Sequence, residues 1–181
     1  MTRIFQFARA IASVGLTLVG GFAMADEIPK TGSPAPEIEL VAISNGGKKE
    51  TIRLGDYKGK KNVVLAFYPK AMTPGCTVEC NALSKVNEKF AKLDTVVFGI
   101  STDTESSQDK FIAKESLQIP LLADPDKKVT TKLGALGQRG FANRYTYVID
   151  KKGNIAKVYT KVAPASHAEE VLAYIEKELS K

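Results

Sequence analysis

Apolar and polar positions along the chain follow two periods, one typical of strands and one typical of helices. The continuous apolar run from Val63 to Tyr68 predicts a buried strand, because it is rich in β-branched and aromatic residues. The next segment, Cys76 to Leu93, instead repeats its apolar residues at helical spacing. We therefore expect a buried strand that leads through a short turn into a helix.

The same patterns predict further elements on both sides of this unit. In chain order they are an N-terminal hairpin of Ile38–Ile43 and Glu50–Leu54, a strand over Val96–Ser101, a helix over Glu105–Ser116, a strand over Leu121–Ala123, a helix over Asp126–Leu133, a glycine-containing loop to Asn143, a hairpin of Tyr145–Ile149 and Ile155–Tyr159, and a helix over Ser166–Leu179. Alternating strands and helices followed by a hairpin predict one α/β domain, with a mixed sheet flanked by helices.

Cys76 lies at the junction between the first strand and the first helix, directly after Thr73-Pro74-Gly75. Thr73 or Gly75 is suited to the N-cap, and Pro74 to the first helical turn. The free N–H groups and the positive dipole end at a helix N-terminus favour an anion. A free thiol titrates at about 8.5, and such a position can lower that to roughly 3.5–7.5. We expect Cys76 to be a thiolate at neutral pH, with a buried structural cysteine as the alternative.

The residues around Cys76 resemble the signature of the peroxiredoxins, Pro-x-x-x-Thr-x-x-Cys, here Pro69, Thr73 and Cys76. The string from Phe67 to Val78 is similar to the bacterioferritin comigratory, or Q-type, branch, and the similarity covers nearly all of the chain after about Gly32. Arg144 matches the family's arginine at the start of a late strand. The resemblance implies a thioredoxin-like fold preceded by the hairpin, and a thiol peroxidase that needs no cofactor and no metal.

The chemistry of peroxide reduction requires these residue types. A thiolate attacks one peroxide oxygen while the other leaves with new negative charge, which Arg144 can stabilise. The Thr73 hydroxyl can accept a hydrogen bond from the peroxide, and Pro69 can cover the thiolate and exclude water. Each residue also has a structural alternative: Thr73 as a helix cap, Pro69 as a strand terminator and Arg144 as a surface residue.

Cys80 departs from the pattern of the Q-type branch, in which the resolving cysteine commonly lies five residues after the peroxidatic one. Asn81 occupies that position here. Residues four apart share a helix face with Cβ atoms about 5–6 Å apart, whereas a disulfide needs roughly 3.5–4.5 Å. Cys76 and Cys80 can therefore bridge only if the first helical turn unwinds or bends. Cys80 is our candidate resolving cysteine, and direct reduction of Cys76 by an external thiol is the alternative.

Other candidate residues are weaker. His167, the only histidine, could act as a general base for Cys76, but it is expected at a polar helix end. Two cysteines and one distant histidine do not form a metal-ligand cluster. Phe67, Tyr68 and Phe141 are candidates for the mouth of the pocket, with a core role as the alternative for Phe67.

Residues Met1 to Ala25 have the features of a signal peptide: Arg3 and Arg9, an apolar stretch, and Ala23-Met24-Ala25 before Asp26. An uncleaved anchor is the competing interpretation. Cleavage would lower the net charge from +6 to +4, and the basic residues are too dispersed for nucleic acid binding. We expect an exported protein, in a bacterium a periplasmic one, with no stable membrane association after cleavage. A pair of cysteines fits such an oxidising compartment.

Two rival functions compete with the thiol peroxidase. A thioredoxin-like thiol–disulfide oxidoreductase would use Cys-x-x-Cys, whereas Cys76 and Cys80 are separated by three residues. A non-catalytic binding or chaperone module would leave Cys76 unactivated. The expected partners are a peroxide and a thioredoxin-like or other thiol reductant. By resemblance the expected oligomeric state is a monomer, with a dimer as the alternative.

Overall fold

A seven-stranded mixed sheet forms the centre of the computed structural model, which describes residues 27–180. The strands are β1 (Glu39–Ser44), β2 (Lys48–Arg53), β3 (Asn62–Phe67), β4 (Thr95–Ser101), β5 (Leu121–Ala123), β6 (Thr146–Ile149) and β7 (Ile155–Tyr159). The helices are α1 (Pro74–Lys85), α2 (Asn87–Lys92), α3 (Glu105–Glu115), α4 (Lys128–Lys132) and α5 (His167–Glu178). This is the predicted alternation of strands and helices.

The order of the strands across the sheet is β2-β1-β5-β4-β3-β6-β7. The central strands β3, β4 and β5 run parallel, and the pairs β1–β2, β1–β5, β3–β6 and β6–β7 are antiparallel. The two predicted hairpins therefore form the two edges of the sheet. The arrangement is a thioredoxin-like fold with an added N-terminal hairpin, as predicted.

Side chains of β3 alternate between two cores, one on each face of the sheet. Val64 and Ala66 face the core that includes α1, α3 and α5, whereas Val63 and Leu65 face the core that includes α4 and the loop before β6. Every residue of β3 is buried. Burial on both faces explains why this strand is continuously apolar from Val63 to Phe67 rather than alternating.

The helix predicted from Cys76 to Leu93 is in fact two helices. Val86 leaves the helical conformation (φ −104°, ψ 8°) and separates α1 from α2, although its side chain stays buried. The apolar spacing continues across this break because both helices pack against the same core. The prediction of one uninterrupted helix was wrong for this reason.

The proposed signal peptide, Met1 to Ala25, lies outside the described residues. Within residues 27–180, no helix has the length and apolar character needed to cross a membrane.

Candidate active site

Three chain segments meet at one end of the central strands because of the directions in which the strands run. The parallel strands β3 and β4 both end there, at Phe67 and Ser101. Strand β6 runs antiparallel to β3 and therefore begins where β3 ends. There the Phe67 amide donates to the Tyr145 carbonyl (2.7 Å). This pairing brings Arg144 next to the start of α1, although 68 residues separate it from Cys76.

Cys76 lies in the first turn of α1 and is 1% exposed. The helix begins at Pro74 with Thr73 as the N-cap residue, so the thiol lies beside the free N–H groups of the helix terminus. The guanidinium of Arg144 donates from Nη2 to Sγ of Cys76 at 3.3 Å. The candidate nucleophile therefore contacts both a fixed positive charge and the positive end of a helix dipole.

Glu79 completes this group of charges. Arg144 Nη1 donates to Oε2 of Glu79, while Oε1 of Glu79 is buried and has no hydrogen-bond partner among residues 27–180. Burial raises the pKa of Glu79 to about 7, and the charge and hydrogen bond of Arg144 oppose that rise. The carboxyl thus fixes the guanidinium that faces Cys76.

The pKa of Arg144 is raised above its ordinary value. Burial acts to lower this pKa, but the hydrogen bond to Cys76 and the nearby charges of Glu79 and Cys76 together outweigh burial. Arg144 therefore carries its positive charge throughout the physiological pH range.

Glu79 was not among the candidates drawn from the sequence. The available signal was its position three residues after Cys76, which places both side chains on one face of α1. An acidic residue on a helix is usually exposed, so its burial could not be foreseen without the partner Arg144.

Thr73 is oriented by its own loop. Its Oγ1 donates to the carbonyl of Lys70 at 2.9 Å and makes no capping hydrogen bond to α1. The hydroxyl proton is therefore occupied, and the oxygen lone pairs are left to accept from another donor. This geometry differs from the side-chain helix cap that was the structural alternative for Thr73.

An open cleft of about 620 Å³ adjoins Pro69 and Arg144. Its wall includes the exposed ring of Phe141, and Lys70 Nζ lies 5.8 Å from the centroid of that ring. The remaining lining residues all belong to the loop before β6: Leu136, Gly137, Gln138, Arg139, Ala142 and Asn143. The cleft supplies room for a substrate beside the arginine that contacts Cys76.

Of the aromatic residues considered for the pocket mouth, only Phe141 lines the cleft. Phe67 and Tyr68 are fully buried, so the prediction was wrong for Tyr68, and the core alternative holds for Phe67. Tyr68 follows β3 and packs its ring edge-on against Phe111 of α3. The side chain points into the core because alternation along the strand continues one residue beyond Phe67.

His167 is the first residue of α5, at the helix end expected from the sequence, but it is fully buried there. Its Nε2 lies 2.8 Å from Thr146 Oγ1, its Nδ1 lies 3.3 Å from Glu170, and its ring packs edge-on against Tyr159. Burial lowers its pKa, against the opposing effect of Glu170. Its partners in residues 27–180 tie α5 to the sheet and do not include Cys76.

Cys80 is 1% exposed, and both cysteines are free thiols. Burial raises the pKa of Cys80 well above its ordinary value, and the charges of Glu79 and Cys76 raise it further. The helical hydrogen bond from the Thr77 amide to the Thr73 carbonyl (2.9 Å) is intact, so the first turn of α1 is closed. In this state Cys80 is a packed neutral thiol on the core side of α1.

The described part of the chain contains no group of three or more histidine, cysteine or acidic residues that could hold a metal ion.

Comparison with known proteins now identifies the group to which this chain is related. A family model described as "AhpC/TSA family" matches residues 31–158. The chain belongs to the AhpC/TSA family.

Relatives within the family are named peroxiredoxins. The chain is 38% identical over 148 residues to "Peroxiredoxin Bcp" of Bacillus subtilis (strain 168), covering 78% of this chain and 91% of the relative. It is 33% identical over 153 residues to "Peroxiredoxin Bcp" of Escherichia coli (strain K12), covering 81% and 95%. The predicted similarity to the bacterioferritin comigratory branch of the family is confirmed.

Solved structures agree with the fold. Peroxidoxin BcpB from Mycobacterium tuberculosis superposes with a TM-score of 0.73 at 32% identity, over 82% of this chain and 97% of that one. A Cys→Ser mutant of PrxQ from Xylella fastidiosa superposes with a TM-score of 0.74 at 26% identity, over 83% and 97%. The peroxiredoxin form of the thioredoxin-like fold is therefore confirmed.

Proposed function

We infer that this chain is a thiol-dependent peroxidase that reduces hydrogen peroxide or alkyl hydroperoxides, with Cys76 as the peroxidatic residue. The observation that carries the assignment of Cys76 is its 3.3 Å contact with the Arg144 guanidinium at the N-terminus of α1. Family membership supports the peroxidase activity. The roles of the individual residues are our proposal.

In the first step the Cys76 thiolate attacks one oxygen of the peroxide. A sulfur–oxygen bond forms and the oxygen–oxygen bond breaks, so sulfur is oxidised to sulfenic acid and the peroxide is reduced to an alcohol or water. Arg144 stabilises the negative charge as it passes from sulfur to the leaving oxygen, which then takes a proton from solvent. Thr73 accepts a hydrogen bond from the peroxide, and Pro69 shields the thiolate from water.

An organic hydroperoxide can place its carbon chain in the cleft beside Pro69 and Arg144. The volume of about 620 Å³ exceeds what hydrogen peroxide requires and includes the exposed ring of Phe141. Access from this side supports reduction of alkyl hydroperoxides as well as of hydrogen peroxide.

We propose that Cys80 resolves the sulfenic acid after the first turn of α1 unwinds. The Cys80 thiolate attacks Cys76 sulfur, a disulfide forms and hydroxide leaves. In an intact helix the two Cβ atoms are about 5–6 Å apart, which is too far for a disulfide. Because Cys80 is buried with a raised pKa, the same unwinding is needed to expose and ionise it.

The test of this function is stopped-flow mixing of the reduced full chain with hydrogen peroxide and with an alkyl hydroperoxide. Wild type should consume peroxide rapidly, and Cys76→Ser should consume none. Cys80→Ser should keep a fast first turnover, because only the second step is removed. Cys76→Ser retaining a tenth of the wild-type rate would contradict the assignment of Cys76.

We propose that a thioredoxin-like protein or another thiol supplies the electrons, and that the enzyme is a monomer. Reduction of the disulfide needs two thiols from outside the chain, which the peroxide cannot supply. Turnover coupled to a purified thioredoxin system, together with the mass measured by sedimentation, tests both statements. Failure of every supplied thiol to support turnover would contradict the first statement. A stable dimer in sedimentation would contradict the second.

We also propose export with cleavage after Ala25. The proposal is supported by the basic start, the apolar stretch and the small residues at the cleavage site. N-terminal sequencing of the protein from a bacterial periplasmic fraction should begin at Asp26. A full-length N-terminus, or recovery from the cytosol alone, would contradict it.

A further inference from the structure

A chain of buried and partly buried hydrogen bonds holds both ends of the segment that carries Pro69. We call it the Asp103 network, and its members are Tyr68, Ala71, Ser101, Asp103 and Gln108. Tyr68 and Ala71 flank Pro69 and Lys70. Ser101 ends β4, Gln108 belongs to α3, and Asp103 lies in the connection between these two elements. The network thus ties the loop before Cys76 to the neighbouring strand and helix.

The donors and acceptors of the network follow one direction. The Tyr68 hydroxyl donates to Gln108 Oε1, and Gln108 Nε2 donates to Ser101 Oγ at 2.9 Å. Ser101 Oγ then donates to Asp103 Oδ2 at 2.8 Å. The same Oδ2 accepts from the Ala71 amide at 2.8 Å. The carboxylate oxygen of Asp103 is therefore the acceptor at which both branches end.

Burial makes these bonds strong determinants of local geometry. The side chains of Tyr68, Ser101 and Gln108 are fully buried, and Asp103 is half-buried. A second bond from Gln108 Nε2 to the Leu122 carbonyl (3.1 Å) satisfies its remaining donor. A satisfied polar network in a low-dielectric interior holds its members rigidly, because each lost partner leaves a buried group unpaired.

The loop held by this network contains a conformation that needs such support. Met72 has a φ of 61°, in the left-handed region that non-glycine residues rarely adopt. Such a residue persists only where its surroundings fix it. Met72 lies between Ala71, which Asp103 holds, and Thr73, whose hydroxyl is oriented by the Lys70 carbonyl.

We propose that Asp103 is a positioning residue for peroxide reduction, which holds the Pro69–Thr73 loop in the geometry that receives the peroxide. The inference rests on the proposed peroxidase function. Asp103 acts through the Ala71 amide and has no hydrogen bond to Cys76 or to Arg144 among the described residues.

A role in positioning the peroxide predicts a selective defect. Asp103→Ala removes the acceptor of the Ala71 amide, so the loop relaxes and the Thr73 hydroxyl leaves its position. The rate constant for oxidation of Cys76 by peroxide should fall about tenfold or more, as expected when a positioned group moves. Alkylation of Cys76 by iodoacetamide should not fall with it, because that reaction depends on the thiolate and not on a positioned peroxide.

The conservative variant separates positioning from simple destabilisation. Asp103→Asn keeps one side-chain oxygen that can accept from both Ala71 and Ser101, so it should recover most of the peroxide rate. Asp126→Asn, an exposed acid outside the network, is the matched control and should react as wild type does. If Asp103→Ala does not fold, Ser101→Ala replaces it, with the same selective loss expected at smaller size.

The inference is overturned if the folded Asp103→Ala, or Ser101→Ala in its place, oxidises at the wild-type rate. It is also overturned if oxidation and alkylation fall by the same factor, since that indicates a general disturbance of Cys76. Failure of the proposed function looks different: wild-type protein itself would not react with peroxide in the same stopped-flow experiment.

Discussion

Replacing the buried Glu79 by glutamine should make the protein more stable at alkaline pH. Glutamine has the same shape and can still accept from Arg144, but it cannot ionise. In the native protein burial raises the pKa of Glu79 to about 7 from an ordinary value of 4.5. The native state therefore binds more protons than the unfolded state between these two values.

The sign and size of the effect follow from this difference in proton binding. Stability contributed by protonated Glu79 is complete below about pH 4.5 and is lost as the pH rises through 7. One pKa unit corresponds to about 1.4 kcal/mol, so the loss approaches about 3 kcal/mol. The Glu79→Gln variant should match wild type near pH 4.5 and exceed its free energy of unfolding by up to about 3 kcal/mol at pH 8.

Urea unfolding of the reduced protein at a series of pH values between 4.5 and 8 measures this difference. Ionisable groups distant from Glu79 contribute equally to both proteins and cancel in the comparison. Glu169→Gln is a suitable control, because Glu169 is exposed and forms only a surface ion pair with Lys89. A difference between Glu79→Gln and wild type that stays constant across the series would refute the reasoning.

Three further substitutions test the individual site residues. Arg144→Ala should slow oxidation of Cys76 by about 2–4 kcal/mol in activation free energy, as does loss of an oxyanion donor, and an unchanged stopped-flow rate would contradict its role. Thr73→Val should slow the same step without loss of fold, whereas a variant that melts earlier but reacts normally would show a purely structural threonine. Cys80→Ser should accumulate sulfenic acid and over-oxidise to sulfinic acid, measured by mass spectrometry. In wild type, peroxide should remove both free thiols and increase hydrogen exchange between Cys76 and Leu83, and a Cys80 that stays alkylatable would identify a one-cysteine enzyme.

Much of the fold could be predicted because its signals are local. The buried strand β3, the turn before Cys76 and the two hairpins all follow from residue type and spacing over short segments. The break at Val86 could not be predicted, because the residue is apolar and keeps the helical spacing on both sides. The break is a change in the backbone dihedral angles of Val86, and the pattern of apolar residues does not predict such a change.

The candidate site could be predicted only in part. Cys76 and Arg144 were expected together on the basis of a family pattern, and the structure places them 3.3 Å apart. The burial of Glu79 and His167 depends on partners distant in the sequence, Arg144 and Thr146, so polarity alone suggested exposed positions. The sequence gives only a weak indication that Asp103 belongs to the site: it follows the carboxyl end of a parallel strand, where polar residues commonly face a ligand.

The most direct test of the central claim is to trap the first oxidised product on Cys76. Reduced Cys80→Ser is treated with one equivalent of hydrogen peroxide in the presence of dimedone, which reacts selectively with sulfenic acid, and the peptides are mapped by mass spectrometry. We predict one dimedone adduct, on the peptide that contains Cys76, in an amount that matches the peroxide consumed. Rapid peroxide consumption with no adduct on Cys76 would contradict the account. Peroxide consumption no faster than by a free thiol would contradict it as well.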